Sequence, residues 1–138
     1  METLSIDRLP ITLKQLKLGQ WFDQPVTMLP AALKYLKFDS AFNQEVNALP
    51  AGLMTLIFGY CFDQPVDSLP ANLKRFSFGY NFNQPVDALP AALKYLSSGN
   101  NFNQPVNALP AGLERLVLGE HFNQPIDNLP SDLKIIIN

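Results

Sequence analysis

Apolar and polar positions along the chain repeat with a period of 20 residues. The segment LPAALKYLKFDSAFNQEVNA from Leu29 returns at Leu49, Leu69, Leu89 and Leu109 with no insertion. Leu13, Leu33, Leu53, Leu73, Leu93, Leu113 and Leu133 form one apolar column, and Leu16, Leu36, Leu56, Phe76, Leu96, Leu116 and Ile136 form a second. Phe22, Phe42, Phe62, Phe82, Phe102 and Phe122 make a third. Val26, Val46, Val66, Val86, Val106 and Ile126 follow it by four residues. A unit of this length cannot enclose so many apolar side chains alone, so each column must be buried against its own copies in neighbouring coils. The pattern predicts a solenoid.

Within each unit the L-x-L stretch (Leu16 to Leu18, Leu36 to Phe38, Leu56 to Phe58) alternates with period two, which reads as a short strand. Stacked copies predict a right-handed coil with a parallel sheet of about seven short strands on one face. Gly19, Gly59, Gly79, Gly99 and Gly119 follow the strand, where a turn with positive φ is expected, and Asp39 in the same column is a residue type that tolerates it. All twelve prolines fall in two columns, Pro10, Pro30, Pro50, Pro70, Pro90, Pro110 and Pro130, then Pro25, Pro65, Pro85, Pro105 and Pro125. The return path FNQPV-x-x-LP is therefore expected to be extended or polyproline-like with turns, with little or no α-helix. Residues 1–10 read as a degenerate N-terminal half-repeat that caps the stack through Leu4, Ile6 and Leu9, with Ile6 in the valine column. Residues 11–138 hold six 20-residue repeats and a final partial repeat, as a single domain.

These residues carry a family resemblance. The pattern LP-x-x-L-x-x-L-x-[LF] resembles the short leucine-rich repeats, and G-x-x-FNQPV resembles the FNIP repeat, a leucine-rich-repeat relative of amoebal and large DNA virus proteins. The resemblance covers residues 9–138, rests on six copies of F-[ND]-Q, and implies a horseshoe lined with parallel strands. The chain departs from the usual leucine-rich pattern in the asparagine column after the strand, which reads Trp21, Ala41, Cys61, Asn81, Asn101 and His121. A polar ladder stands instead at Asp23, Asn43, Asp63, Asn83, Asn103 and Asn123, each followed by glutamine. A pentapeptide-repeat helix, some of which mimic nucleic acid, is a lesser alternative, because ANLKR from Ala71 and AALKY from Ala91 fit its unit. Steps of five from Leu73 land on Phe78, Asn83 and Ala88, and the prolines interrupt that path.

Candidate chemistry is sparse. One cysteine and one histidine exclude an intramolecular disulfide framework and the common Cys/His zinc sites. Cys61 and His121 share a column three coils apart, roughly 14 Å at about 4.8 Å per coil, too far for a nucleophile and its base. Asp23 and Asp63 are two coils apart, about 10 Å on the same spacing, and Asp67 and Asp87 fall on outer turns. Each glycine stands singly in its turn, so no phosphate-binding loop is written. The repeated Asn/Asp-Gln pairs read as a ladder that satisfies turn backbone, and the phenylalanines as a core spine. No catalytic residue, cofactor or metal is expected, and the chain reads as no enzyme. No apolar run approaches the roughly 18 residues of a membrane span, and METLSIDRLP lacks the form of a signal peptide, so an intracellular, cytoplasmic location is expected.

In a repeat protein the framework columns hold the fold, and specificity must come from positions that differ between coils on one face. The outward strand residues are Gln15 and Lys17, Tyr35 and Lys37, Thr55 and Ile57, Arg75 and Ser77, Tyr95 and Ser97, Arg115 and Val117, then Ile135 and Ile137. Tyr60 and Tyr80 follow the strands of adjacent units and extend this surface, and tyrosines are enriched in interfaces. Nine of the ten basic residues lie in or beside the strands, with Glu114 the only acid there, although the net charge is −2. Such a field steers an acidic or phosphorylated protein segment onto the strand face and suits nucleic acid less well. The partner-binding candidates are Lys17, Tyr35, Lys37, Tyr60, Arg75, Tyr80, Tyr95 and Arg115. The alternative is a self-assembling structural module: Lys134 to Asn138 reads as an uncapped apolar edge strand, with Ile135 and Ile137 outward and ready to pair with another copy. Ser98 interrupts the inward column of Leu18, Phe38, Phe58, Phe78 and Leu118, so a void or a buried hydroxyl is expected there. Ser98→Leu is accordingly expected to add roughly 1 kcal/mol.

Overall fold

The computed structural model describes residues 6–138. Seven strands, β1 (Gln15–Lys17), β2 (Tyr35–Lys37), β3 (Thr55–Ile57), β4 (Arg75–Ser77), β5 (Tyr95–Ser97), β6 (Arg115–Leu118) and β7 (Lys134–Ile137), form one sheet in chain order. Every pairing is parallel, and from β1 to β6 each residue pairs with the one 20 positions on. Each coil, numbered by its strand, enters through an LP-x-x-L turn in which the leucine N–H donates to the proline carbonyl, as from Leu53 to Pro50 at 3.1 Å. Proline suits this corner because it has no N–H to satisfy and a fixed φ. Among the described residues there is no α-helix, and a 3-10 turn at Ile6–Arg8 places Ile6 in the core. Leu4 lies outside the described residues.

The core is a set of like-on-like columns. Phe42, Phe62, Phe82 and Phe102 are 0% exposed, and successive rings of the spine stack at 5.9 to 6.2 Å. Equivalent rings nearer the sheet lie closer: Phe38 and Phe58 at 5.4 Å, Tyr60 and Tyr80 at 4.8 Å. Parallel strands pack about 4.8 Å apart. The coils therefore fan outward from the sheet, and the strands line the inner, concave side of the curve. The hydrogen bonding matches this gradient. On the strand side coils are joined by direct backbone bonds, for example Phe58 N to Ser77 O at 2.8 Å. On the return side a side chain bridges the wider gap: the Asp63 carboxylate accepts from Asn83 N at 2.9 Å and from Gln84 Nε2 at 3.1 Å. The same bridge recurs from Asp23, Asn43, Asn83 and Asn103 to the coil above each. The polar ladder is thus structural, as its periodicity predicts.

Two local expectations need correction. No glycine among the described residues has positive φ. The glycine column exists because neighbouring coils touch there: a Cβ on Gly79 would stand 2.3 Å from the Gly59 carbonyl oxygen, and one on Gly99 the same distance from that of Gly79. Asp39, above Gly19, is the exception, and its carboxylate accepts from Ser40 N at 2.7 Å. Second, β7 is shifted by one residue, so that Leu116 pairs with Ile135, Val117 with Ile136 and Leu118 with Ile137. A one-residue shift exchanges the faces of a strand. Ile135 therefore packs against the core, Ile136 takes the outward column, and Ile137, 53% exposed, aligns with the inward Leu118. At Ser98 the structure has the buried hydroxyl of the two outcomes expected there: it donates to Val117 O and accepts from Gly119 N, both at 3.3 Å. Phe78 tilts 45° from Phe82, whereas Phe58 and Phe62 lie within 4° of parallel. Its ring approaches Phe102 at 5.2 Å.

Candidate functional site

The strand face is where the repeat stops repeating. Inward positions are fixed by core packing and the return side carries the amide ladder, while the two outward columns of the sheet and the turn that follows change in size and charge from coil to coil. Smaller polar changes also occur in the outer turns, as at Thr27-Met28 and Asp67-Ser68. The first outward column runs Gln15, Tyr35, Thr55, Arg75, Tyr95, Arg115 and Lys134; the second runs Lys17, Lys37, Ile57, Ser77, Ser97, Val117 and Ile136. On a concave sheet the tall side chains of the first column lean together. The Arg75 guanidinium lies 4.5 Å from the centre of the Tyr95 ring and that of Arg115 lies 5.9 Å from it. Lys17 approaches Tyr35 at 6.0 Å, near the outer limit for a cation–π contact. A depression of about 200 Å³ opens over β3 and β4, lined by Thr55, Leu56, Ile57, Arg75, Phe76, Ser77 and Tyr95.

Electrostatically this face is unbalanced. Among the described residues the ion pair within 4 Å is His121 with Glu120, and no lysine or arginine is paired with a carboxylate. Lys94 donates to the Gly112 carbonyl at 3.3 Å, while Lys17, Lys37, Arg75 and Arg115 are exposed and bonded to no acceptor within the described protein. Tyr60 and Tyr80 stand past the ends of β3 and β4 as an exposed pair, parallel within 5°. The structure thus brings Arg75, Tyr95 and Arg115 together, pairs Lys17 with Tyr35 and Tyr60 with Tyr80, and leaves Lys37 separate. The bracketing of one tyrosine by two arginines was within reach of the sequence, since positions 75, 95 and 115 differ by one period; the depression was not, because it depends on how the sheet curves. Elsewhere, no group of three His, Cys, Asp or Glu side chains gathers among the described residues. No helix there is long and apolar enough to cross a membrane.

A helix-free stack of short parallel strands with like residues buried on like defines a leucine-rich-repeat-like solenoid. Comparison with protein families is more specific: the FNIP Repeat matches residues 22–61, 62–101 and 102–137, and the chain belongs to that family. Among solved structures it is similar to CroV588, a giant-virus protein described as a novel circular LRR protein structure. The TM-score is 0.86 and the identity 39%, over 94% of this chain and 21% of that one. No curated protein sequence matches the chain.

Proposed function

We propose that the chain is a non-catalytic protein-binding module that engages an acidic partner segment across its concave strand face. The observation that carries this reading is the row of exposed, unpaired cations and bracketing tyrosines on the strand face, whose outward columns differ from coil to coil. Curvature brings side chains from successive coils toward a common ligand, and the positive field accelerates encounter with an acidic segment. Arginine and tyrosine are also the residue types that most often anchor interfaces.

The test is binding of degenerate acidic and basic peptide pools to the wild type and to the variant Lys37→Glu, Arg75→Glu, Arg115→Glu, with light-scattering mass recorded for both proteins. Acidic-pool binding that weakens with salt and vanishes in the variant supports the reading. Equal binding of both pools, or binding that survives charge reversal, refutes it. Concentration-dependent oligomers of both proteins without peptide binding would replace it with the self-assembling alternative.

A further inference from the structure

We propose that the depression between β3 and β4 is a phosphate-monoester subsite that seats a phosphorylated serine side chain of the bound segment. This rests on the strand-face reading above and names the chemistry that one part of the face selects. The Arg75 guanidinium carbon lies over the Tyr95 ring, 4.5 Å from its centre, and a guanidinium that packs its flat face on a ring keeps its N–H edge to donate. The stack holds that edge in place at little further entropic cost on binding. Neither Arg75 nor Arg115 donates a hydrogen bond within the described protein, and neither is neutralised by a carboxylate there.

Thr55 and Ser77, both hydroxyl-bearing, line the same depression, whose apolar lining is Leu56, Ile57 and Phe76. The donor set distinguishes between anions. A carboxylate has two oxygens and one charge, and a single bidentate arginine satisfies it. A phosphate monoester carries three acceptor oxygens and close to two charges near neutrality. It can take the Arg75 edge and both hydroxyls together, with Arg115 on the other side of Tyr95 supplying the remaining field. The volume of about 200 Å³ accommodates such a group with its methylene stem. A nucleic-acid phosphodiester, with one charge and substituents on two oxygens, uses the same donors less completely.

The experiment measures fluorescence anisotropy of three degenerate acidic peptide pools that differ only at a fixed central position, occupied by phosphoserine, glutamate or serine. The phosphoserine pool is expected to bind about tenfold or more tighter than the glutamate pool. Arg75→Gln should erase that preference, Arg75→Lys should keep only part of it, and Arg8→Gln, the same charge change off the face, should leave it intact. Thermal melts of each variant establish that the solenoid is folded. Equal binding of the phosphoserine and glutamate pools overturns the subsite while leaving the acidic-partner reading standing. Binding of no acidic pool overturns both. Displacement of the phosphoserine pool by single-stranded oligouridylate at lower concentration than by unlabelled phosphoserine peptide also overturns it, in favour of nucleic acid.

Discussion

Replacing single glycines in the column after the strands separates two explanations for that column. A conformational requirement would penalise every position alike, whereas close approach of coils penalises only glycines with a coil beneath them. Gly79→Ala places a methyl group 2.3 Å from the Gly59 carbonyl oxygen and 2.6 Å from its carbon. Relief needs about 1 Å of local separation, since ordinary contact begins near 3.4 Å. The bonds flanking this step, Phe58 N to Ser77 O at 2.8 Å and Asn81 N to Tyr60 O at 3.0 Å, cannot stretch so far and survive. Overpacking costs about 1–3 kcal/mol and each weakened bond about 0.5–1.5, against which reduced freedom of the unfolded chain returns about 0.4–1. The expected net loss is about 2–4 kcal/mol. Gly19→Ala is the matched control, with no atom within 4 Å of its Cβ and no positive φ. It should be neutral or stabilising by up to about 1 kcal/mol. Urea unfolding followed by far-UV circular dichroism, with the slope checked for constancy, reads both values. Equal destabilisation by the two substitutions would refute the close-approach argument and restore the conformational one.

Other positions give sharper local tests. Glu45 occupies the proline column and its N–H makes no hydrogen bond among those described, so Glu45→Pro should raise stability by about 0.4–1 kcal/mol in the same urea assay. Carboxylates never adjoin in the ladder, which reads Asp23, Asn43, Asp63, Asn83, Asn103, Asn123. Asn103→Asp, flanked by amides, should be near neutral, whereas Asn83→Asp beside Asp63 should destabilise by a few tenths of a kcal/mol and recover in high salt; a salt-independent loss would point to lost geometry instead. Ser98→Ala should cost about 1–2 kcal/mol because the buried Gly119 N–H loses its acceptor. Ser98→Leu should also melt below the wild type, reversing the gain expected from burial alone, because it removes the same bonds and displaces the tilted Phe78. Phe82→Ala, which opens the middle of the spine, should cost about 3–5 kcal/mol by calorimetry.

The strict period made most of the fold legible without coordinates. Like-on-like burial of Leu33, Leu53 and Leu73, or of Phe42, Phe62 and Phe82, follows from an apolar unit too short to close on itself, and the Asx-Gln ladder follows from turn backbone that needs partners. Periodicity also located the face that varies and the charge it carries. It could not give distances between coils, and the corrections arise there. Glycine after the strand is compatible with a turn or with close packing, and only the separation of 2.3 Å between an added Cβ and the coil below decides for packing. Extrapolating the period put Ile136 inward, but the final strand pairs with a one-residue shift that turns Ile135 to the core instead. At Ser98 the pattern left a void or a buried hydroxyl open, and the structure shows the hydroxyl bridging Val117 and Gly119 of the next coil, which removes the gain expected of Ser98→Leu. From β1 to β6 the sequence by itself determined which residues share a column, because there pairing follows translation by one period. Tertiary structure alone decided how far apart the columns stand and how they lean. Fanning of the coils makes the sheet concave and brings Arg75 and Arg115 onto one tyrosine ring, a consequence of spacing differences of about 1 Å that no residue pattern records.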